Sequence, residues 1–244
     1  TYVIAGDVNV VQRNTLNFQR TNRRADAEEV IVTGSRVTRE EIFDYHLYEL
    51  PQPTTIADRQ EKQLTFLMAE DVKATRYYRY DAFNFGSFET PENADVKLEF
   101  ENDKDNNLGA PLPKGVMRVY GEDKSGKKHF LGSDANRAIP EGRDVDLYLG
   151  RAFDVTLTAQ QKDFKVIARS NKGNTVEFLQ NYTFQNARSE DVVLRFYQAN
   201  LTGEWEILNQ TQDHEKIDAN TLRWDIVIPE KSDAVLEFEM RRRG

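Results

Sequence analysis

Through most of this chain, apolar and polar residues change places at every step. In "DVKLEFE", Val96, Leu98 and Phe100 share one side, and Lys97, Glu99 and Glu101 share the other. "DVDLYLG" repeats the pattern with Val145, Leu147 and Leu149, and "DVVLRFY" with Val192, Leu194 and Phe196. It recurs in "NTVEFLQNYTF" (Val176, Phe178, Tyr182, Phe184), "TLRWDIVI" (Leu222, Trp224, Ile226, Ile228) and "AVLEFEM" (Leu236, Phe238, Met240). A period of two puts one face of a strand on a core and the other in water, the habit of antiparallel sheets. Asn, Gly, Asp and Pro clusters separate the runs and supply turns. No window carries a long amphipathic helix, and "VTREEIF", Val37 to Phe43, predicts a helical turn or two at most.

The segment Phe153 to Arg243 holds about seven such runs over roughly a hundred residues, the signature of an immunoglobulin-like sandwich. Trp205 and Trp224 are expected as core anchors, since buried aromatics dominate sandwich interiors. "FDYHLYEL", "KQLTFLM" and "VKATRYYRYDAF" predict strands further upstream. Pro51 and Pro53 in "ELPQPTTI" fit an edge or crossing segment, because proline donates nothing to a ladder. Gln19 to Arg36 is polar and mixed in charge, and reads as an exposed linker.

The expected organisation follows. Residues 1–18 complete an upstream β-domain, 19–42 form the linker, 43–149 form the upstream β-domain, and 150–244 form the immunoglobulin-like sandwich. The fold class is all-β: an antiparallel β-sandwich, immunoglobulin-like in its C-terminal part, packed on an upstream β-domain.

Leu108 to Gly132, "LGAPLPKGVMRVYGEDKSGKKHFLG", predicts a hairpin with a stiff entrance. Pro111 and Pro113 fix φ and hold their predecessors extended. Val116, Arg118 and Tyr120 then alternate with Met117 and Val119, "DKSGKK" makes the turn, and "KHFLG" returns. Ser125 and Lys128 stand in Ser-x-x-Lys spacing, but that chemistry needs the serine at a helix start, and a hairpin tip offers none.

Composition narrows the functional classes. With 244 residues, 39% hydrophobic and 11% aromatic, the chain can fill one large β-domain or two ordinary ones. A net charge of -8 disfavours nucleic-acid partners, whose phosphates would repel it. No run of about eighteen apolar residues offers a membrane-spanning helix. There is no cysteine, so disulfides, zinc–thiolate sites and thiol nucleophiles are excluded. The chain begins at Thr1 and its first residues already read as structure, so a fragment or processed product is expected, with any signal peptide upstream.

Candidate chemistry is sparse. His46, His129 and His214 lie on three separate segments without metal-ligand spacing. Asp103, Asp105 and Asn107 alternate like the first half of a calcium loop, but Leu108 and Lys114 stand where an EF-hand needs Gly and Glu. A polar inter-strand loop is expected there. Carboxylates are numerous, and a glycosidase pair need not be adjacent in sequence. Asp81 would be the first suspect for such a pair. The densest aromatic stretch is "RYYRYDAFNFGSF", and Arg76, Tyr77, Tyr78, Arg79 and Tyr80 are the candidate binding residues, since Tyr and Arg anchor interfaces. The competing reading is a strand with one aromatic face in the core and Tyr–Arg stacking outside.

"VIAGDVNVVQ", "DYHLYELPQPTTIADRQEKQLTFL", "LGAPLPKGVMRVYGED", "FLGSD", "LGRAFDVT", "GEWEI" and "DANTLRWDIVIPE" together resemble the C-terminal domain, of unknown function, of bacterial mucoidy-inhibitor-like proteins. The resemblance runs from about Ile4 to Met240. It implies an all-β domain of unknown activity, often in exported proteins and usually preceded by another region. No catalytic residues come with it. "EVIVTGSR" also looks like a stretch near the plug of TonB-dependent receptors, which points in the same direction.

Two functional readings result. The first is a non-enzymatic extracytoplasmic module of the bacterial envelope that binds an envelope protein or glycan, or serves as structure, in the periplasm or attached to the envelope. The alternative is a carbohydrate-active hydrolase with paired carboxylates on a β-sandwich. Neither assigns a metal, a cofactor, a nucleic-acid partner or an oligomeric state. A third, lesser reading is a metal-stabilised scaffold around Asp103 to Asn107, which a chelator-insensitive melting temperature would remove.

Overall fold

The computed structural model describes residues 2–5, 39–42, 45–49, 55, 69, 71–171 and 173–243. The first strands are β1 (Tyr2–Ala5), β2 (Arg39–Ile42), β3 (Tyr45–Glu49), β4 (Thr75–Ala82) and β5 (Phe88–Asn102). β6 (Gly115–Glu122), β7 (Lys128–Asn136), β8 (Arg143–Ser170) and β9 (Gly173–Asn186) follow. The last are β10 (Val192–Gln198), β11 (Glu204–Gln210), β12 (Glu215–Asp218), β13 (Thr221–Ile228) and β14 (Ser232–Arg243). The protein is all-β, as the alternation predicts.

The chain forms two compact units. The first comprises Thr1–Lys73, Glu101–Gly115 and Arg137–Arg143. It carries a three-stranded sheet in the order β1-β3-β2, both pairs antiparallel. One expectation is corrected here. Residues 39–42 of "VTREEIF" form β2, not a helical turn, with Ile42 opposite Tyr45 and Arg39 opposite Tyr48. Pairing to β3 gives these amides ladder partners, and so tertiary context overrides a weak local preference. The linker at 19–36, the prolines at 51 and 53, and "KQLTFLM" lie outside the described residues. In the proline-led segment, Leu112 bridges Ile139 through two backbone hydrogen bonds of 2.8 and 2.9 Å.

The second unit comprises Ala74–Phe100, Val116–Asn136 and Asp144–Gly244. Its nine-stranded sheet runs β11-β14-β9-β8-β5-β4-β10-β13-β12. β8 passes through residue 150 without a break, and β4 and β5 lie in the same sheet as the strands that follow it. Among the described residues, β10 with β13, β14 with β9, β4 with β5 and β8 with β9 pair antiparallel, whereas β4 and β10 run parallel.

The sheet folds over so that its two halves face each other as a β-sandwich. Trp224 of β13 stacks on Phe238 of β14 with ring centroids 5.1 Å apart, though five strands separate them in the sheet order. Tyr182 of β9 meets Phe196 of β10 at 4.4 Å. Alternation sets what goes inside: Val192, Leu194 and Phe196, then Leu222, Trp224, Ile226 and Ile228, then Leu236, Phe238 and Met240 are all buried. At the two ends of the sheet the Lys216 ammonium of β12 lies 5.0 Å from the Trp205 ring of β11. Trp224 is a core anchor as predicted, whereas Trp205 is only half-buried against the core.

β6 and β7 form a separate two-stranded sheet. Its tip is the predicted turn: Gly126 has φ +80°, and its amide donates to the Asp123 carbonyl at 2.9 Å.

Candidate functional site

β4 carries all five candidate binding residues, and a strand sends successive side chains to opposite faces. Tyr78 points into the core at 2% exposure. Tyr80, on the same side, stacks on Phe196 at 6.2 Å and donates its hydroxyl to Glu92 at 2.6 Å. Arg76, also on that side, lies beyond the core and is paired with Glu190. Tyr77 and Arg79 point to the outer face. The structure therefore does not gather these residues on one platform.

The outer face of β5, β4, β10 and β13 is a polar lattice of rings and guanidinium groups. The Arg195 guanidinium sits 3.9 Å from the Tyr77 ring centroid, and Arg79 sits 4.2 Å from that of Tyr197. Each cation also has an anion. Arg195 bonds Glu99 at 2.7 Å, and Arg79 grips Asp81 with two hydrogen bonds of 2.9 Å. Arg223 bonds Glu215 at 2.7 Å and Asp225 at 3.0 Å. Tyr77 is only 3% exposed, donates to Asp146 at 3.0 Å, and has its phenol pushed up by burial and then by Asp146. Lys97 bonds the same Asp146 at 3.4 Å.

The inner edge of β4 leads to a second cluster. Glu190 accepts from both Arg76 and Arg188, and these donors, Arg188 foremost, hold its carboxyl below the usual range. Arg188 also donates to Asp154 at 2.9 Å. The lattice and this cluster neutralise their own charges. Their chemistry is that of a closed surface, with cation–π and ion pairs in place of unspent ligands.

The other sequence candidates can be located. Asp81, the suspected catalytic carboxylate, is the partner of Arg79. In the hairpin tip, Ser125 Oγ and His129 Nε2 both contact the Asp123 carboxylate, with His129 at 2.7 Å. Nucleophilic catalysis needs the histidine between serine and aspartate; here the carboxylate takes the serine proton as a hydrogen bond, so nothing activates Ser125. Ser125 first, then His129, holds the Asp123 carboxyl far below its ordinary range. His214 Nδ1 meets Gln210 Oε1 at 2.8 Å, and its ring lies 5.5 Å from Trp224, so it packs at the core rim. His46 lies in β3.

Comparison with protein families, with curated proteins and with solved structures returned no match. The reading of the surface therefore rests on the chain's own geometry.

That geometry exposes hairpin residues which the sequence reading placed in strands and gave no binding role. On the β6–β7 hairpin, Val116, Tyr120, Phe130 and Leu131 are all more than half exposed. Tyr120 and Phe130 touch edge to face at 5.6 Å. Phe83, after β4, is 60% exposed, and Phe153 of β8 is 95% exposed. A signal was present for the hairpin. "VMRVY" is apolar on both sides of its alternation, and a two-stranded ribbon has too little covering structure to bury both.

Proposed function

We propose that this chain is a non-enzymatic binding and structural module of the bacterial envelope, working outside the cytoplasm on an envelope protein or glycan. The observation that carries the reading is the Tyr120–Phe130 pair, at 55% and 57% exposure, presented on a hairpin beside Val116 and Leu131. Large rings in water give contact area at low rotamer cost, and clustered exposed apolar side chains mark interaction surfaces. The contact surface then lies on β6–β7, and the Arg76–Tyr80 strand supports the sandwich beside it. The envelope setting is supported by the resemblance of the "YHLYELPQPTTI" and "LGAPLPKGVMRVYGED" segments to the mucoidy-inhibitor group. The immunoglobulin-like reading of 150–244 is supported by strand spacing.

The hydrolase reading has less behind it. A glycosidase acid must be pushed up by an apolar setting. Among the described residues, the carboxyls with displaced proton affinity are Asp123, Glu190 and Glu237, and donors hold all three down.

The test is a glycan array and an isolated-envelope binding assay with the purified chain, alongside Tyr120→Ala/Phe130→Ala. The unaltered chain is expected to be retained and the double variant released. Sugar release from a polysaccharide, or no retention by glycan or envelope protein, overturns the proposal.

A further inference from the structure

β8 outlasts its neighbour. The sheet order gives it two partners, β9 and β5. β5 begins at Phe88, and the Gln161 amide of β8 already donates to the Ser87 hydroxyl just before it, at 2.9 Å. Past that point β8 pairs with β9 down to Ser170 opposite Gly173. Among the described residues, no strand covers the other edge of 162–170. This stretch is exposed throughout, including Phe164 at 57% and Val166 at 40%. Their register partners are Phe178 and Val176, so both lie on the side of the sheet that further along is the core.

The opposite side carries a row of charge in strict register. Glu206 of β11 faces Arg241 of β14, Arg241 faces Glu177 of β9, and Glu177 faces Lys165 of β8. The signs alternate across four strands. Arg241 takes Glu177 at 2.7 Å and Glu206 at 3.5 Å. Lys165, at the free edge, is left without an ion pair among the described residues, and so is Asp163 two positions earlier on the same side. Asp163 to Val166 is a regular stretch between two bulges.

We infer that this edge pairs antiparallel with the same edge of a second copy of the chain, about a two-fold axis at Phe164. That symmetry sets Asp163 of each copy opposite Lys165 of the other. The alternating row then continues into the second chain, the two Phe164 rings meet on the axis, and the open backbone groups find ladder partners. A lysine on an edge normally deters pairing. Here the neighbouring Asp163 makes the edge self-complementary in one register, while axes at Asp163 or Lys165 would oppose like charges. The inference is independent of the envelope reading.

The chain has no cysteine, so Phe164→Cys introduces a single thiol. It is expected to form an interchain disulfide under mild oxidation, while Val193→Cys, exposed on the other layer, does not. Sedimentation equilibrium of the full chain should show a dimer. Asp163→Lys or Lys165→Asp alone should weaken it by about tenfold or more, and the double swap should restore it. Circular dichroism checks that each exposed-site variant is folded. A monomer at every concentration, a dimer indifferent to the single swaps, or a double swap no better than the singles overturns the inference.

Discussion

Gln180 clasps the backbone of Gly86 from both sides: its Oε1 accepts from the Gly86 amide at 3.2 Å, and its Nε2 donates to the Gly86 carbonyl at 2.8 Å. Gln180 is fully buried between Phe178 and Tyr182 on the core side of β9, so its amide has no water to fall back on. Gly86 has φ +146°, a conformation that side chains resist, and the clasp holds the 83–87 turn there. Phe85 rides on this turn and packs 4.7 Å from Phe178. Gln180→Leu keeps the volume and strips both bonds. It is expected to cost about 2–4 kcal/mol in urea denaturation, mostly from leaving two backbone groups unsatisfied. A cost under ~0.5 kcal/mol would mean the turn holds itself.

Tyr182 sits at the centre of the sandwich and donates its hydroxyl to Gln198, which in turn donates to the Ala82 carbonyl. Burial raises its phenol above the ordinary value of 10.0, and burial does the same for Tyr77 and Tyr80. The folded state therefore holds these protons more tightly than the unfolded chain. Stability is at its full value below about pH 10 and falls as pH rises further, because unfolding then releases protons. A 295 nm titration should show several tyrosines ionising together with loss of structure. Smooth ionisation of all tyrosines near pH 10, with the fold intact, would contradict this.

The alternation in "TLRWDIVI" and "DVVLRFY" made the core legible residue by residue, because period two commits every second side chain to one face. It could not reveal what covers the other face. Lys97 and Glu99 read as solvent-facing, yet both are half-buried, because Arg195 arrives from 96 residues away to bond Glu99. Arg76 to Tyr80 read as one cluster because they are adjacent in sequence. Adjacent residues on a strand point to opposite faces, so the five separated. The exposed Tyr120–Phe130 pair was hidden for a related reason: a hairpin pattern does not say whether anything packs on it.

The stacking of Arg195 on Tyr77 makes a quantitative test of the outer lattice. The ring is buried under the guanidinium, which is itself fixed by Glu99. A double-mutant cycle between Tyr77→Leu and Arg195→Met should return a coupling of about 1 kcal/mol. Arg195→Lys should recover less than half of it, since an ammonium reaches Glu99 without covering the ring. Zero coupling would make the contact incidental.

The loop between β5 and β6 resembles a cation site in spacing, and its oxygens decide otherwise. Asn106 Oδ1 accepts from the Lys73 amide at 2.7 Å, while its Nδ2 donates to the carbonyls of Lys73 and Glu101 at 3.0 and 2.9 Å. Asp103 Oδ1 accepts from the Asn106 amide at 2.8 Å. Asn102, fully buried, donates to the carbonyls of Ala110 and Pro140. These amides do internally what a cation would do, gathering carbonyl groups around one centre. Chelator is therefore expected to leave the melting temperature unchanged within about 1 °C, whereas a metal-held loop would lose stability by mass action. Asn106→Ala should cost about 2–3 kcal/mol. Asn106→Asp is the sharper variant: it exchanges two donated hydrogen bonds for a carboxylate facing two carbonyl oxygens, so it should destabilise whether or not calcium is present. Calcium-dependent recovery of that variant, read by thermal melts with and without the ion, would show that the loop is a cation site after all.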